Sequence, residues 1–543
     1  MDGLVLMSNL NDIAKLELTV EQLSIEEKLT NFEYSSKDIS KKALLPQLSA
    51  FVGITQKVTQ PVHLLCGQPQ TAQLLSWLGL DNQLISNCGK ETLFGRFKHT
   101  ASGKAHFFTG EIFESDNDYL IFSAHLLLQD LDCADLLIKT AVADVFDTQW
   151  LTKDYQQAEF KQLRHSKIKL DKTIIILGDY ESIQQLLYVC PALVQISHER
   201  IHEADYAVEV NQTTLNALYT LLTDLSHKFD DIAFNALVWA LARKCEDQKW
   251  MSIDLNYIEQ IQQRVGQNIN QQSIEQVVRE LEGFNATARL FNYEQIKNNS
   301  IKVDFTGAVI GQINGLTVVE TALAEFGEPS RITANIFVGE GDISDIERKS
   351  DLGGNIHAKA MMILSSFVSK VFARNEPLPI SSNIVFEQSY HEVDGDSASL
   401  AELYALLSAI ANVPIKQNIA VTGAMDQLGN VLAVGGVDLK IEGFYTLAKL
   451  KAPSEEHAVI IPKANIANLN LTSEIKTAVN NGTFKIYAID HVTQAAELLT
   501  GKVAETDDHK GLFDLVRAEL DKFSQEHEQT PSIWHKLTKI FNK

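Results

Sequence analysis

Cysteine is scarce in this chain of 543 residues. The five are Cys66, Cys88, Cys133, Cys190 and Cys245, an odd number with wide spacing and no CxxC. That pattern argues against a disulfide framework and against a cysteine-held zinc site. Buried, reduced thiols are the expected state. Long apolar runs are also missing, and none approaches the roughly 18 residues of a membrane-spanning helix. The opening stretch, MDGLVLMSNLNDIAKLE, has no basic segment followed by a long apolar one, so no secretory signal is expected. A reducing cytoplasm is the expected location, with no membrane partner. Positive charge is in deficit as well. Lys+Arg is 47 against 70 for Asp+Glu, a formal net charge of −23. Such a surface repels a phosphate backbone, and nucleic acid is not an expected partner.

What is present is ordinary globular composition, 45% hydrophobic and 22% charged. At about 100–200 residues per domain, the length suits about three or four domains. Residues 1–45 are polar, with short helical patterns. From 46 to 204, strand-like segments alternate with helical ones: PVHLLCG (61–67), TAQLLSWLGL (71–80), DYLIFSAHLLL (118–128) and KTIIILGDYESIQQLLY (172–188). That alternation predicts a parallel sheet. Residues 205–302 carry apolar residues at helical spacing and predict a small helical bundle. A second mixed α/β region follows over 303–503, and 504–543 reads as a charged helical tail.

GQPQTAQL (67–74) sits where a phosphate-binding loop would sit, after a strand and opening a helix. The working pattern is GxxxxGK[ST]. Gly67 fits it. Ala72 stands for the second glycine, Gln73 for the lysine and Leu74 for the hydroxyl residue. The cation for the β/γ-phosphates and the magnesium ligand are both missing. The expectation is a nucleotide-binding fold without ATP hydrolysis, and no ATP, magnesium or other cofactor.

The strongest chemical signal is FEQSYHEVDGDSASLAELYALLSAI (386–410). A strand pattern runs into a polar turn, Ser397 follows, and a helix with Leu400, Leu403, Leu407 and Ile410 on one stripe comes next. Gly395, Ala398 and Ser399 keep the serine's surroundings small, as the approach of a substrate backbone requires. A helix N-terminus presents free N–H groups that suit an oxyanion. Serine needs a base. His391, in the same turn, is one candidate. Lys440 is the other, in NIAVTGAMDQLGNVLAVGGVDLKIEGFYTLAKL (418–450), where it falls in the first turn of a predicted helix. The dipole there and burial both lower a lysine pKa.

These residues resemble a known family. Residues 303–503 are similar to the proteolytic domain of Lon proteases, which are serine–lysine peptidases. DGDSAS (394–399) resembles the nucleophile motif and places that role on Ser397. VGGVDLK (434–440) resembles the segment that ends in the general-base lysine and places that role on Lys440. Thr422, in VTGAMD, falls on the threonine that contacts the lysine amine. The turn around Asp396 and Ala398 is implied as the oxyanion support. Asp396 stands where the commoner version has proline, and Ser399 where it has glycine. Upstream, 45–300 resemble the AAA+ part of Lon-like proteins with decayed ATPase motifs, and the stretch after 205 its small α-domain. The implied fold class is α/β multidomain: a degenerate AAA+-like parallel α/β domain, a small helical bundle and a C-terminal α+β proteolytic domain. The implied function is endoproteolysis of peptides or unfolded proteins through an acyl-enzyme, in a homo-oligomer that the family makes a hexamer. Two alternatives stay open, a client-binding holdase with a silent peptidase and an ATP-dependent protease with a non-standard nucleotide site.

Three further features have blander readings. His198-Glu199-Arg200-Ile201-His202 is a literal HExxH, but it precedes a strand-like segment and no third ligand is marked. Surface histidines are expected there, and no metal site. Glu347 and Arg348 lie in DISDIERKSDLGG, where a solvated helix start is expected rather than a substrate-cleft wall. The basic end, WHKLTKIFNK, reads as part of a docked amphipathic helix.

Overall fold

The computed structural model describes residues 10–34, 40–57, 61–99, 105–155, 165–197, 200–225, 229–266, 269–322, 324–349, 352–374, 376–388 and 394–529. They form two compact units. One comprises Phe32–Phe234 and Trp250–Gly266, the other Met1–Asn31, Asn235–Lys249 and Gln267–Lys543.

The first of these contains a five-stranded sheet. Its order is Asn82–Ile85, Tyr119–Ser123, Thr173–Gly178, Val62–Cys66, Ile201–Glu203, and every pairing is parallel. The strands read YLIFS and TIIILG because a parallel sheet is covered on both faces and needs apolar residues at successive positions. Val62–Cys66 runs into Gly67, and the Thr71–Trp77 helix follows. Ala72 and Leu74 are buried in this unit, whereas Gln73 is exposed. The helices between 205 and 302 divide. Gln212–Asp224 and Leu255–Val265 belong to this unit, Gln271–Leu281 and Thr287–Lys297 to the other.

The second unit is built on a seven-stranded mixed sheet. Its order is Ile343–Asp345, Ile380–Phe386, Glu325–Val338, Gln312–Glu320, Ile419–Val421, His457–Pro462, Phe484–Ile489. Alternate residues of each strand point to opposite faces, and two separate cores result. Ile419, Val421, Ala458 and Ile460 enter one core with Leu400, Leu403 and Leu407 of the Ser399–Ala411 helix. Ala420, Val459 and Ile461 enter the other with Ile441, Phe444 and Leu447 of the Val437–Lys451 helix. The serine helix and the lysine helix therefore cover opposite faces of one sheet. The polar N-terminal segment also joins this unit: Leu18 N–H donates to the Ile486 carbonyl at the sheet edge (2.8 Å), and Leu23 is fully buried.

The cysteines are free thiols. Cys88, Cys133 and Cys190 are buried as expected, but Cys66 and Cys245 are only half-buried. These two end a strand and follow a helix, where the core gives out. Burial pushes the Cys133 thiol up to about 12 and Cys88 to about 11.

One buried cation stitches the second unit together. Arg243 makes paired hydrogen bonds to Glu282 (2.6 and 3.0 Å) and to Glu442 (2.8 and 3.1 Å), and a further one to the Asn470 carbonyl (2.9 Å). Removing one member of such a network strands the others in a dry interior. Arg243→Met is expected to destabilise this unit by about 3–5 kcal/mol, seen as a lower urea midpoint at unchanged slope. A wild-type midpoint would refute the assignment.

Candidate active site

Ser397 lies in the turn between the Ile380–Phe386 strand and the Ser399–Ala411 helix. Asp394 anchors the start of that turn. Its Oδ1 accepts N–H bonds from Gly395 (3.0 Å), Ile356 (3.1 Å) and His357 (3.4 Å), and so caps the Asn355–Phe372 helix. Gly395 then takes φ +121°, a conformation that glycine alone adopts without strain. Ser399 closes the turn, donating both its N–H (3.1 Å) and its Oγ (2.8 Å) to the Asp396 carbonyl. Ser397 is half-buried and Asp396 exposed. The N–H groups of Asp396, Ser397 and Ala398 meet no acceptor among the described residues. Orphan donors of this kind are inherent in a helix N-terminus.

The turn is docked on the end of the Ile419–Val421 strand. Gly423 N–H donates to the Ser397 carbonyl (2.8 Å), the Thr422 hydroxyl donates to the same oxygen (3.3 Å), and Leu400 N–H donates to the Gly423 carbonyl (3.2 Å). Thr422 itself is fully buried.

Lys440 approaches from the other face. It sits in the first turn of the lysine helix and is 3% exposed. Burial lowers its pKa to about 8, and the carboxylates of Asp396 and Glu246 act in the opposite direction. The influence of Asp396 places the lysine within the field of the Ser397 turn. Glu246 accepts the Gly436 N–H (3.1 Å) at the start of the lysine helix, where Gly436 has φ +65°. Backbone fits against backbone beneath it. A Cβ on Gly327 would lie 2.1 Å from the Leu439 carbonyl oxygen, and one on Gly443 2.0 Å from the Gly327 carbonyl oxygen.

Ser397, Thr422, Asp396 and Ala398 are thus brought together, and Lys440 joins them electrostatically. His391 falls outside the described residues. Glu347 departs from the solvated helix start expected of it. It is 3% exposed, because its Oε1 accepts the Phe386 N–H (2.9 Å) inside the fold. His202 lies on the Ile201–Glu203 strand and His198 and Glu199 outside the described residues, so HExxH does not form one helical face. Asp394 and Glu246 were not singled out by sequence reasoning. Asp394 carries a weak signal, an acidic residue before glycine in a turn. Glu246 carries none, since it lies 190 positions from the glycine that it binds.

A family model described as the Lon protease (S16) C-terminal proteolytic domain matches residues 294–500. Fold and match together define a peptidase domain. A Lon protease homolog of Haemophilus influenzae is 32% identical over 477 residues, covering 82% of this chain and 76% of that protein. One of Escherichia coli K12 is 43% identical over 243 residues, 44% of this chain and 42% of that protein. An archaeal Lon protease of Methanocaldococcus jannaschii is 33% identical over 177 residues, 31% of this chain and 25% of that protein. The chain belongs to the Lon protease family. Its match spans less than half of the Escherichia coli relative and a quarter of the archaeal one.

Gly327→Ala is expected to push the lysine helix outward by the contact that it creates. A displacement near 1 Å costs about 100-fold in rate. Peptide cleavage should fall accordingly while far-ultraviolet circular dichroism is unchanged, and wild-type cleavage would show the close approach to be dispensable.

Proposed function

We propose that the chain is a serine–lysine endopeptidase that cleaves peptides or unfolded proteins without hydrolysing ATP. The observation that carries this reading is Lys440, a buried ammonium whose pKa is lowered to about 8 beside the Ser397 turn. A base poised near working pH is what serine activation needs. Ser397 Oγ attacks the peptide carbonyl and gives its proton to the Lys440 amine. Developing negative charge on the carbonyl oxygen is met by the free N–H groups of the Asp396–Ala398 turn. Thr422 braces the Ser397 carbonyl and orients the amine. Lys440 returns the proton to the leaving nitrogen, an acyl-enzyme forms, and water releases it.

The front half supports the ATP-free reading. We read 46–204 as a degenerate AAA+-like domain, 205–302 as its helical companion and 303–503 as the proteolytic domain, flanked by 1–45 and 504–543. Ala72 and Leu74 are buried and Gln73 is exposed, so neither an ammonium nor a hydroxyl stands at the two positions that hold phosphate and magnesium in a working loop. The protein is a homo-oligomer, hexameric as in its family, working in the cytoplasm. Calorimetry at millimolar ATP should give no binding heat, and saturable binding would restore the ATP-dependent alternative.

Ser397→Ala is expected to lower cleavage of an unfolded model protein by more than about 1,000-fold, with the fold intact. Wild-type turnover by that variant would sink the assignment. The pH profile tests the base. Only the neutral amine accepts a proton, so kcat/KM should rise about fivefold from pH 7 to 8 and level off above, as the group with a pKa of about 8 deprotonates. Glu246→Gln removes a charge that favours the ammonium. The midpoint should move to lower pH, and an unmoved profile would assign the titration to another group.

A further inference from the structure

A second group of ionisable side chains lies beneath the serine helix, and the peptidase reading does not use it. Asp345 ends the Ile343–Asp345 strand, and Glu347 follows in the short Ile346–Lys349 helix. His357 opens the Asn355–Phe372 helix, and Glu402 lies in the first turn of the serine helix. Their exposures are 5, 3, 1 and 0%. His357 Nε2 stands 2.9 Å from Asp345 Oδ2 and 3.8 Å from Glu402 Oε1. One donor atom each from Asp345, Glu347 and His357 lies within 4.8 Å of the others. Among the described residues neither carboxyl oxygen of Glu402 has a hydrogen-bond partner, although the side chain is fully buried and faces His357.

A salt bridge does not account for this group. Three carboxyls face one imidazole in a dry interior; Asp345 and Glu347 are hydrogen-bonded to each other, and Glu402 faces only the imidazole. Buried carboxyls without compensation are strongly disfavoured. A divalent cation supplies the missing charge and gives Glu402 a partner.

We propose that Asp345, Glu347, His357 and Glu402 form a structural divalent-metal site, with zinc the ion that fits best. One imidazole nitrogen and three carboxylate oxygens are a mixed donor set. Imidazole favours zinc over the hard ions magnesium and calcium. At bond lengths of about 2.0–2.2 Å, neighbouring ligands of a tetrahedral site stand roughly 3.3–3.5 Å apart. The distances from His357 Nε2, 2.9 and 3.8 Å, bracket that value. The outer shell is in place. Phe386 N–H holds Glu347 Oε1 (2.9 Å), and Glu347 N–H holds Asp345 Oδ1 (3.1 Å), which turns Asp345 Oδ2 toward the histidine. Burial of all four ligands describes a closed site, the kind that stabilises rather than catalyses. The ion would clamp the serine helix to the helix that Asp394 caps, and so fix the Ser397 turn from below.

The test is calorimetric titration of zinc into full-length protein stripped with a chelator, with manganese in parallel. One zinc per chain is expected, with Kd below about 1 µM. Glu402→Gln and Asp345→Asn should each weaken it about 100-fold or more. His202→Gln should leave it unchanged, which separates the site from the HExxH segment. No binding at 100-fold higher zinc than about 1 µM, or equal binding by wild type and both cluster variants, would overturn the proposal. Tighter manganese binding would overturn the choice of ion. Should the variants fail to fold, anomalous diffraction at the zinc edge on wild-type crystals decides. A peak between His357 and Glu402 is expected, and a peak elsewhere or none refutes the site.

Discussion

The candidate site depends on one junction, the docking of the Ser397 carbonyl on Thr422 and Gly423. The serine helix and the lysine helix cover opposite faces of the same sheet. Side chains on opposite faces are separated by the sheet itself, so the two can meet only where a strand stops. The Ile419–Val421 strand stops at that place, and its last hydrogen bonds pass directly into the turn that carries the serine. Ser397 is fixed by backbone bonding and Lys440 by the backbone contact of its helix with Gly327. Neither placement relies on a flexible side chain, and both suit a site that must hold its geometry closely.

Burial of charge is the second theme of this unit. Arg243 is compensated by two bidentate carboxylates and by the Asn470 carbonyl. Burial lowers the pKa of Lys440 to about 8, and Asp396 and Glu246 offset that only in part. Glu402 meets His357 at 3.8 Å and has no hydrogen bond among the described residues. The same interior thus holds one fully satisfied ion, one poised to lose its proton and one lacking a partner. The second of these carries the proposed base role, and the third the proposed metal site.

The parallel sheet of the front unit was legible because its strands are apolar at successive positions and its helices follow at once. The strand, turn and helix around Ser397 were legible for the same local reasons, as was the helix start at Lys440. The position of Leu74 and Ala72 in the core agrees with their chemistry, since neither carries a polar group. Glu347 was misread as solvated. Its surroundings, DIERK, are charged in sequence, and only the neighbouring strand's Phe386 N–H makes its carboxyl a buried group. The division of the helices between 205 and 302 among the two units was equally hidden, because helical periodicity says which face is apolar and not what covers it.

The sequence by itself determined the element types, the short turn before Ser397 and the replacement of the phosphate-loop lysine and hydroxyl residue by Gln73 and Leu74. Each follows from residues within a few positions of one another. The tertiary structure decided that Lys440 lies within the field of the Ser397 turn, that Glu246 accepts the Gly436 N–H at the start of the lysine helix, and that Asp345, Glu347, His357 and Glu402 converge. Those relations join residues 43 to 190 positions apart or come from four separate elements. Burial and electrostatic coupling across such separations exist only once the sheet has brought its two cores together.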